Sequence, residues 1–293
     1  MNINGKIHDY PGPVNEGAAV NVLDRGFIYG DSLYEVLRTY NGALFRTQDH
    51  LSRLLKSAER AKMTIAQSGT YIESEVQRTV EEFKRKFNEH DAYCRIIITR
   101  GIGSIGFALS NIQSPTQIVI IVKPLDLKNK AAWDRGMKLK IASRLRNDRR
   151  ALDPAMKSGN YLNSLLAFLE ASDEGFEDAV LCNLEGFLTE GTTFNLFYVR
   201  RNKIATPPLD AGILEGVTRR HVIDIARKHK LPVFEVNFPP ERLYDADEIF
   251  ITSTLREVFP VTQIDDIEIN GGKPGPTTKK LKDLFHRWAE KQI

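Results

Sequence analysis

From Ser32 to Tyr40 the chain alternates, with Tyr34, Val36, Arg38 and Tyr40 on one face and Leu33, Glu35, Leu37 and Thr39 on the other, and it then meets Asn41-Gly42. A period of two running into Asn-Gly specifies a strand entering a tight hairpin. The period then lengthens. Leu51, Leu54, Leu55, Ala58 and Ala61 recur at helical spacing behind Asp49, and Ile72, Val76, Val80, Phe83 and Phe87 form a second stripe. Two β-rich runs follow, Tyr93–Arg100 and Gln117–Lys123, so the first half predicts a sheet carrying two helices. Beyond the polar stretch KPLDLKNKAAW (123–133), strands are expected at Lys138–Ser143, Ala179–Asn183, Asn195–Val199, Val233–Val236, Glu248–Thr252 and Val261–Ile264. Helices are expected at Leu162–Ala171, Val217–Lys230 and Thr277–Lys291. The fold class is α+β in two domains: a smaller N-terminal domain over 1–122, a linker over 123–132 and a larger domain over 133–293.

Composition narrows the function classes. At 293 residues and 42% hydrophobic content the chain can bury a core, and disorder is excluded. A net charge of +3 is too weak a field to support nucleic-acid binding. The strongest apolar run, Ile118–Val122, falls far short of a membrane span, and MNINGKIHDYPGP lacks the apolar core of a signal peptide. Cys94 and Cys182 fit neither a disulfide framework nor a zinc site and read as buried thiols in a reducing compartment. The histidines (8, 50, 90, 221, 229 and 286) show no metal-ligand spacing. The basic clusters Lys84–Lys86, Arg144–Arg150 and Lys279–Lys282 read as solvated surface. A soluble, cytoplasmic protein without a metal is expected.

Gly101-Ile-Gly103-Ser-Ile-Gly106 matches the dinucleotide fingerprint after a predicted strand, which raises a dehydrogenase as one function class. That fingerprint needs a helix opening at the third glycine to hold a pyrophosphate. Here only Phe107–Thr116, with Pro115 inside it, precedes the next strand. A glycine-rich connection between two strands is the better reading.

The chemistry-bearing stretch is Asp153–Leu196. Lys157 stands just ahead of an apolar helix; it is either a surface lysine or, packed against that wall, an amine that can lose its charge and act as a nucleophile. Glu190, in TEGTTFNLF, is either a turn glutamate or a carboxylate held at a strand entry for a cationic ring nitrogen. Gly212-Ile-Leu-Glu-Gly-Val-Thr218 opens a helix whose first N–H groups, at Val217 and Thr218, suit an anion. Thr252-Ser253-Thr254 ends a strand, and Thr254-Leu-Arg-Glu257 is a capping-box pattern cut short by Pro260, a second place that is either ordinary capping or an anion site. Arg53 is an exposed helix arginine or a phosphate clamp.

Taken together, RGFIYGDSLYEVLRTYNG (25–42), HLSRL (50–54), KSGNYLN (157–163), LTEGTTFNLF (188–197), GILEGVTR (212–219) and ITSTLREVFPV (251–261) resemble the class IV aminotransferases, the fold-type IV group of pyridoxal 5′-phosphate enzymes. The resemblance covers nearly the whole chain in family order. It implies a two-domain α+β subunit that forms a homodimer with the cofactor in the cleft between domains. Lys157 resembles the lysine that binds the cofactor covalently and shuttles the α-proton, and Glu190 the carboxylate that keeps the pyridine nitrogen protonated. Arg53, Val217, Thr218 and Thr254 resemble the phosphate cradle. Leu214 resembles the residue packed on the ring, and Tyr161 the tyrosine bonded to its phenolate oxygen. The reaction implied is amino transfer from an amino acid to a 2-oxo acid.

Within the family, Glu35-Val36 stands where the aminodeoxychorismate lyases carry Thr-Thr. The loop GIGSIGFALS lacks the Arg-x-His pair of the bacillus-type D-amino-acid enzymes. Tyr34-Glu35-Val36 is nearer to those enzymes than to the Phe-Glu-Gly of branched-chain ones. Tyr93-Cys-Arg95 and Tyr161 resemble the branched-chain pattern, in which the tyrosine and arginine seat the α-carboxylate. A branched-chain L-amino-acid donor is the favoured reading, with D-amino-acid transamination as the alternative, followed by (R)-amine transamination or aminodeoxychorismate lyase activity. Tyr34, Tyr93 and Arg95 are the expected substrate residues, with Ile105 and Phe107 shaping the side-chain pocket of the partner subunit. A cofactor-less binding protein on the same scaffold is the reading from another class.

Overall fold

The computed structural model describes residues 1–8, 18–89, 91–125 and 130–292. The chain divides into two compact units, one made of the described residues of Met1–Asp126, Met156–Asn160 and Gln292–Ile293, the other of those of Leu127–Ala155 and Tyr161–Lys291. Among the described residues no helix is long and apolar enough to cross a membrane.

In the first unit the described elements are β1 (Asn2–Ile3), β2 (Lys6–Ile7), α1 (Arg25–Tyr29), β3 (Ser32–Tyr40), β4 (Ala43–Leu44), α2 (Thr47–Arg60), α3 (Gly69–Phe87), β5 (Ala92–Thr99) and β6 (Gln117–Pro124). The strands form one antiparallel sheet in the order β2-β1-β6-β5-β3-β4. Asn41 and Gly42 have φ of 49° and 82°, the two positive values that a type I′ turn requires. The stripes of α2 and α3 (Leu51, Leu54, Ala58, Ile72, Val76, Val80, Phe83) pack with Leu33, Leu37, Cys94, Ile96 and Ile98 in one core. Because side chains alternate along a strand, Tyr34 and Val36 of β3 and Tyr93, Arg95 and Ile97 of β5 take the other face of the sheet.

The segment Met156–Asn160, expected in the larger domain, belongs to this first unit. Its backbone pairs with β3: Ser158 bridges Leu33, Tyr34 N donates to Lys157 O at 3.1 Å and Gly159 N to Ser32 O at 2.8 Å. Pairing between positions so distant in sequence leaves no local periodicity to read. Within the expected linker over 123–132, Lys123 and Pro124 end β6 and Lys130 begins the next helix; residues 126–129 lie outside the described residues.

In the second unit the described elements are α4 (Lys130–Arg135), β7 (Met137–Ile141), α5 (Leu162–Asp173), β8 (Asp178–Cys182), β9 (Leu188–Gly191), β10 (Asn195–Arg200), β11 (Lys203–Thr206), α6 (Val217–Lys228), β12 (Val233–Glu235), α7 (Glu241–Tyr244), β13 (Glu248–Ser253), β14 (Glu257–Ile264), β15 (Ile267–Glu268) and α8 (Pro276–Glu290). The sheet order is β12-β11-β10-β13-β14-β7-β8-β9 with β15 on β14, and a further pairing of β9 with β10 closes the path into a ring. Its core gathers Leu139, Val180, Leu188, Leu196, Ile249, Ile251, Phe259 and Val261. The four-residue strands β9 and β11 have no counterpart in the sequence reading, since so short a run shows no alternation.

Helix α8 begins behind Gly275, which has no side chain to cap it. Buried Glu248 of β13 does so from a distance, accepting from Thr277 N at 2.9 Å, Thr278 N at 2.7 Å and Thr278 Oγ1 at 2.7 Å. The glycine is needed, because a Cβ there would lie 2.1 Å from Glu248 Cδ. Glu248→Ala should cost about 1–3 kcal/mol of stability, seen as a lower urea midpoint at unchanged slope.

Candidate active site

In the first unit, β3 and α2 bring three ionisable groups together on the core face. Glu35, 0% exposed, accepts from Arg53 Nε at 2.7 Å and Arg53 Nη2 at 2.8 Å, and its Oε2 lies 2.8 Å from His50 Nδ1. Burial alone would raise the Glu35 carboxyl, but the charge and hydrogen bonds of Arg53, with the hydrogen bond of His50, hold it well below the usual carboxylate range. Burial pushes His50 down against the opposing pull of Glu35. Arg53, read from sequence as a phosphate clamp, is thus fixed by a bidentate carboxylate.

On the opposite face, Lys157 Nζ donates to Tyr34 Oη at 2.8 Å and lies 4.2 Å from the centre of that ring. The Arg95 guanidinium stands 4.4 Å from the same ring centre. The main chain on either side of the amine is pinned, with Lys157 N donating to Ser57 Oγ at 3.1 Å. Lys157 therefore meets a phenol and a guanidinium in its own unit. Along β5, Tyr93 shares the face of Arg95 and carries Lys123 Nζ 5.2 Å from its ring centre.

Ile105 and Phe107 are 77% and 81% exposed on the loop after β5. That loop is clamped by α1: Arg25 Nη1 donates to Gly106 O at 2.9 Å, Gly106 N donates to Tyr29 Oη at 2.7 Å, and the rings of Tyr29 and Phe107 are 5.2 Å apart. No helix opens at Gly106; a single 3-10 turn, Leu109–Asn111, follows. Gly103 serves a close approach instead, since a Cβ would lie 2.1 Å from Asn111 O. The dinucleotide fingerprint thus lacks the helix that would give it its chemistry.

In the second unit the centre is Glu190, 5% exposed on β9. Its Oε1 accepts from Arg146 Nη2 at 2.8 Å and Arg146 Nε at 3.2 Å, and its Oε2 accepts from Leu214 N at 3.1 Å and Asn195 Nδ2 at 3.2 Å. Asn195 sits opposite Glu190 in the β9–β10 register and also donates to Leu214 O at 3.0 Å. Val217 and Thr218, both 6% exposed, start α6 behind Gly216, which supplies no side-chain cap. A Cβ at Gly216 would lie 1.9 Å from Asn195 Oδ1, so the helix start is held against Glu190's neighbour. Half-buried Tyr161 precedes α5, and burial together with the nearby Glu190 charge pushes its hydroxyl above the usual phenol range.

Two expectations are corrected here. Thr254-Leu-Arg-Glu257 opens no helix; it is the turn between β13 and β14, with Glu257 at φ 54°, because the segment's far side pairs across the sheet and Val258 meets Thr252. Nor is Arg144–Arg150 uniformly solvated. Arg150 is 82% exposed in its side chain, but Arg146 is only 15% exposed and turns inward to Glu190. Sequence reasoning gave no role to Arg146, Asn195, His50 or, as the partner of Arg53, Glu35. The i, i+3 spacing of His50 and Arg53 and the place of Asn195 in LTEGTTFNLF were visible signals, whereas Arg146 was hidden among like charges.

A family model described as amino-transferase class IV matches residues 32–264. A putative branched-chain-amino-acid aminotransferase of Methanocaldococcus jannaschii is 37% identical over 97% of this chain and 94% of its own. A D-alanine aminotransferase of Bacillus licheniformis is 32% identical over 90% of this chain and 89% of its own. Among solved structures, a T.th. branched-chain amino acid aminotransferase with pyridoxamine 5′-phosphate superposes with a TM-score of 0.87 at 30% identity, covering 99% of this chain and 94% of that one.

Proposed function

Because this chain belongs to the class IV aminotransferases, we propose that it uses pyridoxal 5′-phosphate to move the amino group of a branched-chain L-amino acid to a 2-oxo acid. When bound, the cofactor supplies an electron sink for the carbanion left after α-proton loss. The residues fit such a group: a buried carboxylate for a cationic ring nitrogen at Glu190, an uncapped helix start for a phosphate at Val217 and Thr218, and a pinned amine at Lys157. Lys157 would hold the cofactor covalently and supply the base for the α-proton, and Glu190 would serve its ring nitrogen. Arg53, Val217, Thr218 and Thr254 would hold the phosphate, Leu214 would serve the ring and Tyr161 its phenolate oxygen.

The observation that carries the reading is the grouping of Lys157, Tyr34 and Arg95, an amine beside a guanidinium and a phenol that suit a substrate carboxylate. Tyr93 joins Arg95 in seating that carboxylate. The branched-chain preference is supported by Tyr93-Cys94-Arg95, by a post-β5 loop without an Arg-x-His pair, and by the names of the relatives at 37% and 30% identity. The D-alanine enzyme at 32% identity keeps a D-amino-acid donor as the second reading, favoured by the Tyr34 hydroxyl. The protein acts as a cytoplasmic homodimer in which Ile105 and Phe107, held out on a clamped loop, line the partner subunit's side-chain pocket. Two buried free thiols, with burial raising Cys94 to about 12 and Cys182 to about 11, suit a reducing compartment.

A half-reaction panel tests this. The yellow holoenzyme should bleach with L-leucine, L-isoleucine and L-valine, and recover its colour with the matching 2-oxo acids. Bleaching by D-alanine or D-glutamate alone would transfer the assignment to the second reading.

A further inference from the structure

We infer that Arg146 is a positioning residue: by holding Glu190 ionised, it keeps the proton on the ring nitrogen of the cofactor and not on the carboxylate. The inference rests on the role proposed above for Glu190 and adds a residue to which that role assigns nothing.

A proton shared by a carboxylate and a pyridine nitrogen goes to the stronger base, so the system that holds it is set by what stabilises the bare carboxylate. Both oxygens of Glu190 accept hydrogen bonds. The Arg146 fork occupies Oε1 at 2.8 and 3.2 Å, and Leu214 N and Asn195 Nδ2 occupy Oε2 at 3.1 and 3.2 Å. Each of these favours the ionised form, and only Arg146 brings a full charge. A guanidinium does not lose its proton at any working pH, so this bias is constant where a lysine or histidine would titrate.

The fork is itself built to stay in place. Arg146 N donates to Cys182 O at 2.8 Å, and Arg146 Nη1 reaches Asn163 Oδ1 at 3.3 Å. Asn163 is pinned in turn, accepting from Asn147 N at 3.2 Å and donating through Nδ2 to Leu145 O at 2.9 Å. With side-chain exposures of 15% for Arg146 and 7% for Glu190, little water competes for the pair. A surface ion pair in a basic cluster would need none of this bracing.

The experiment loads the full-length protein with pyridoxal 5′-phosphate labelled with 15N in the ring and follows the nitrogen resonance against pH. Protonated and unprotonated pyridine nitrogens resonate far apart, so the readout is independent of turnover. The wild-type nitrogen is expected to stay protonated through neutral pH. In Arg146→Gln it should lose its proton at a pH lower by about one unit or more, with the L-leucine half-reaction slowed about tenfold. Arg146→Lys, which keeps the charge without the fork, should fall between the two, and it decides the matter should the glutamine variant fail to fold. A loaded variant that titrates like the wild type overturns the inference alone. A wild-type protein that takes up no cofactor overturns the functional reading, and with it this one.

Discussion

Lys157→Ala protein is expected to fold normally, bind the cofactor without a covalent bond, and lose the half-reaction by at least about a thousandfold. General acid–base catalysis by a positioned group is worth about 10²–10⁴, and the covalent attachment is lost as well. Structure predicts that the loss is chemical. The segment is anchored through its main chain, by the 3.1 Å bonds to Ser57 Oγ and from Tyr34 N and by the 2.8 Å bond from Gly159 N to Ser32 O, and alanine keeps all three. The side chain itself donates to Tyr34 Oη, and the ring of that tyrosine retains the neighbouring Arg95 guanidinium. Borohydride should fix the cofactor onto the peptide bearing Lys157 in the native protein and onto no peptide in the variant. A variant that turned over at the native rate, or native protein reduced at another lysine, would sink the assignment.

What the sequence disclosed about this molecule follows how local the determinants are. The hairpin at Asn41-Gly42 needs two positive φ values and no tertiary help, and the helices on Leu51–Ala61 and Ile72–Phe87 carry their own stripes. Glu190, Val217 and Thr218 were picked out within short contiguous stretches, and all three are buried. Arg146 does not, because its inward turn depends on Asn163 and on a strand more than forty positions later, while its neighbours in the basic cluster face water. The same holds for Lys157, whose partner Tyr34 arrives through pairing of Ser158 with Leu33. The capping-box pattern at Thr254 failed for the opposite reason: its local preference is real, but the β13–β14 ladder outweighs it.

Glu35→Gln should destabilise the fold by about 3–5 kcal/mol, a large part of the margin of about 5–15 kcal/mol typical of native proteins. The carboxylate is wholly buried between Arg53 and His50, and removing its charge leaves a guanidinium with 10% side-chain exposure facing a neutral amide. The pH dependence gives the sign. Both Glu35 and His50 are held below their ordinary values, so in each case the unfolded chain takes up the proton first as pH falls. Stability from this cluster is complete above about pH 7, declines below 6.5 as His50 is protonated in the unfolded chain, and declines further below 4.5 through Glu35. Thermal midpoints measured from pH 8 to pH 4 should show both segments in the native protein. The Glu35→Gln variant should start lower and lack the second. Replacing the pair together, as Glu35→Leu with Arg53→Met, should recover most of the stability, because no buried charge is then left alone. It should not recover cofactor affinity, since Arg53 is proposed to hold the phosphate. A single Glu35→Gln variant within 1 kcal/mol of the native protein would show that water or rearrangement compensates Arg53, and that the cluster is not what fixes its guanidinium.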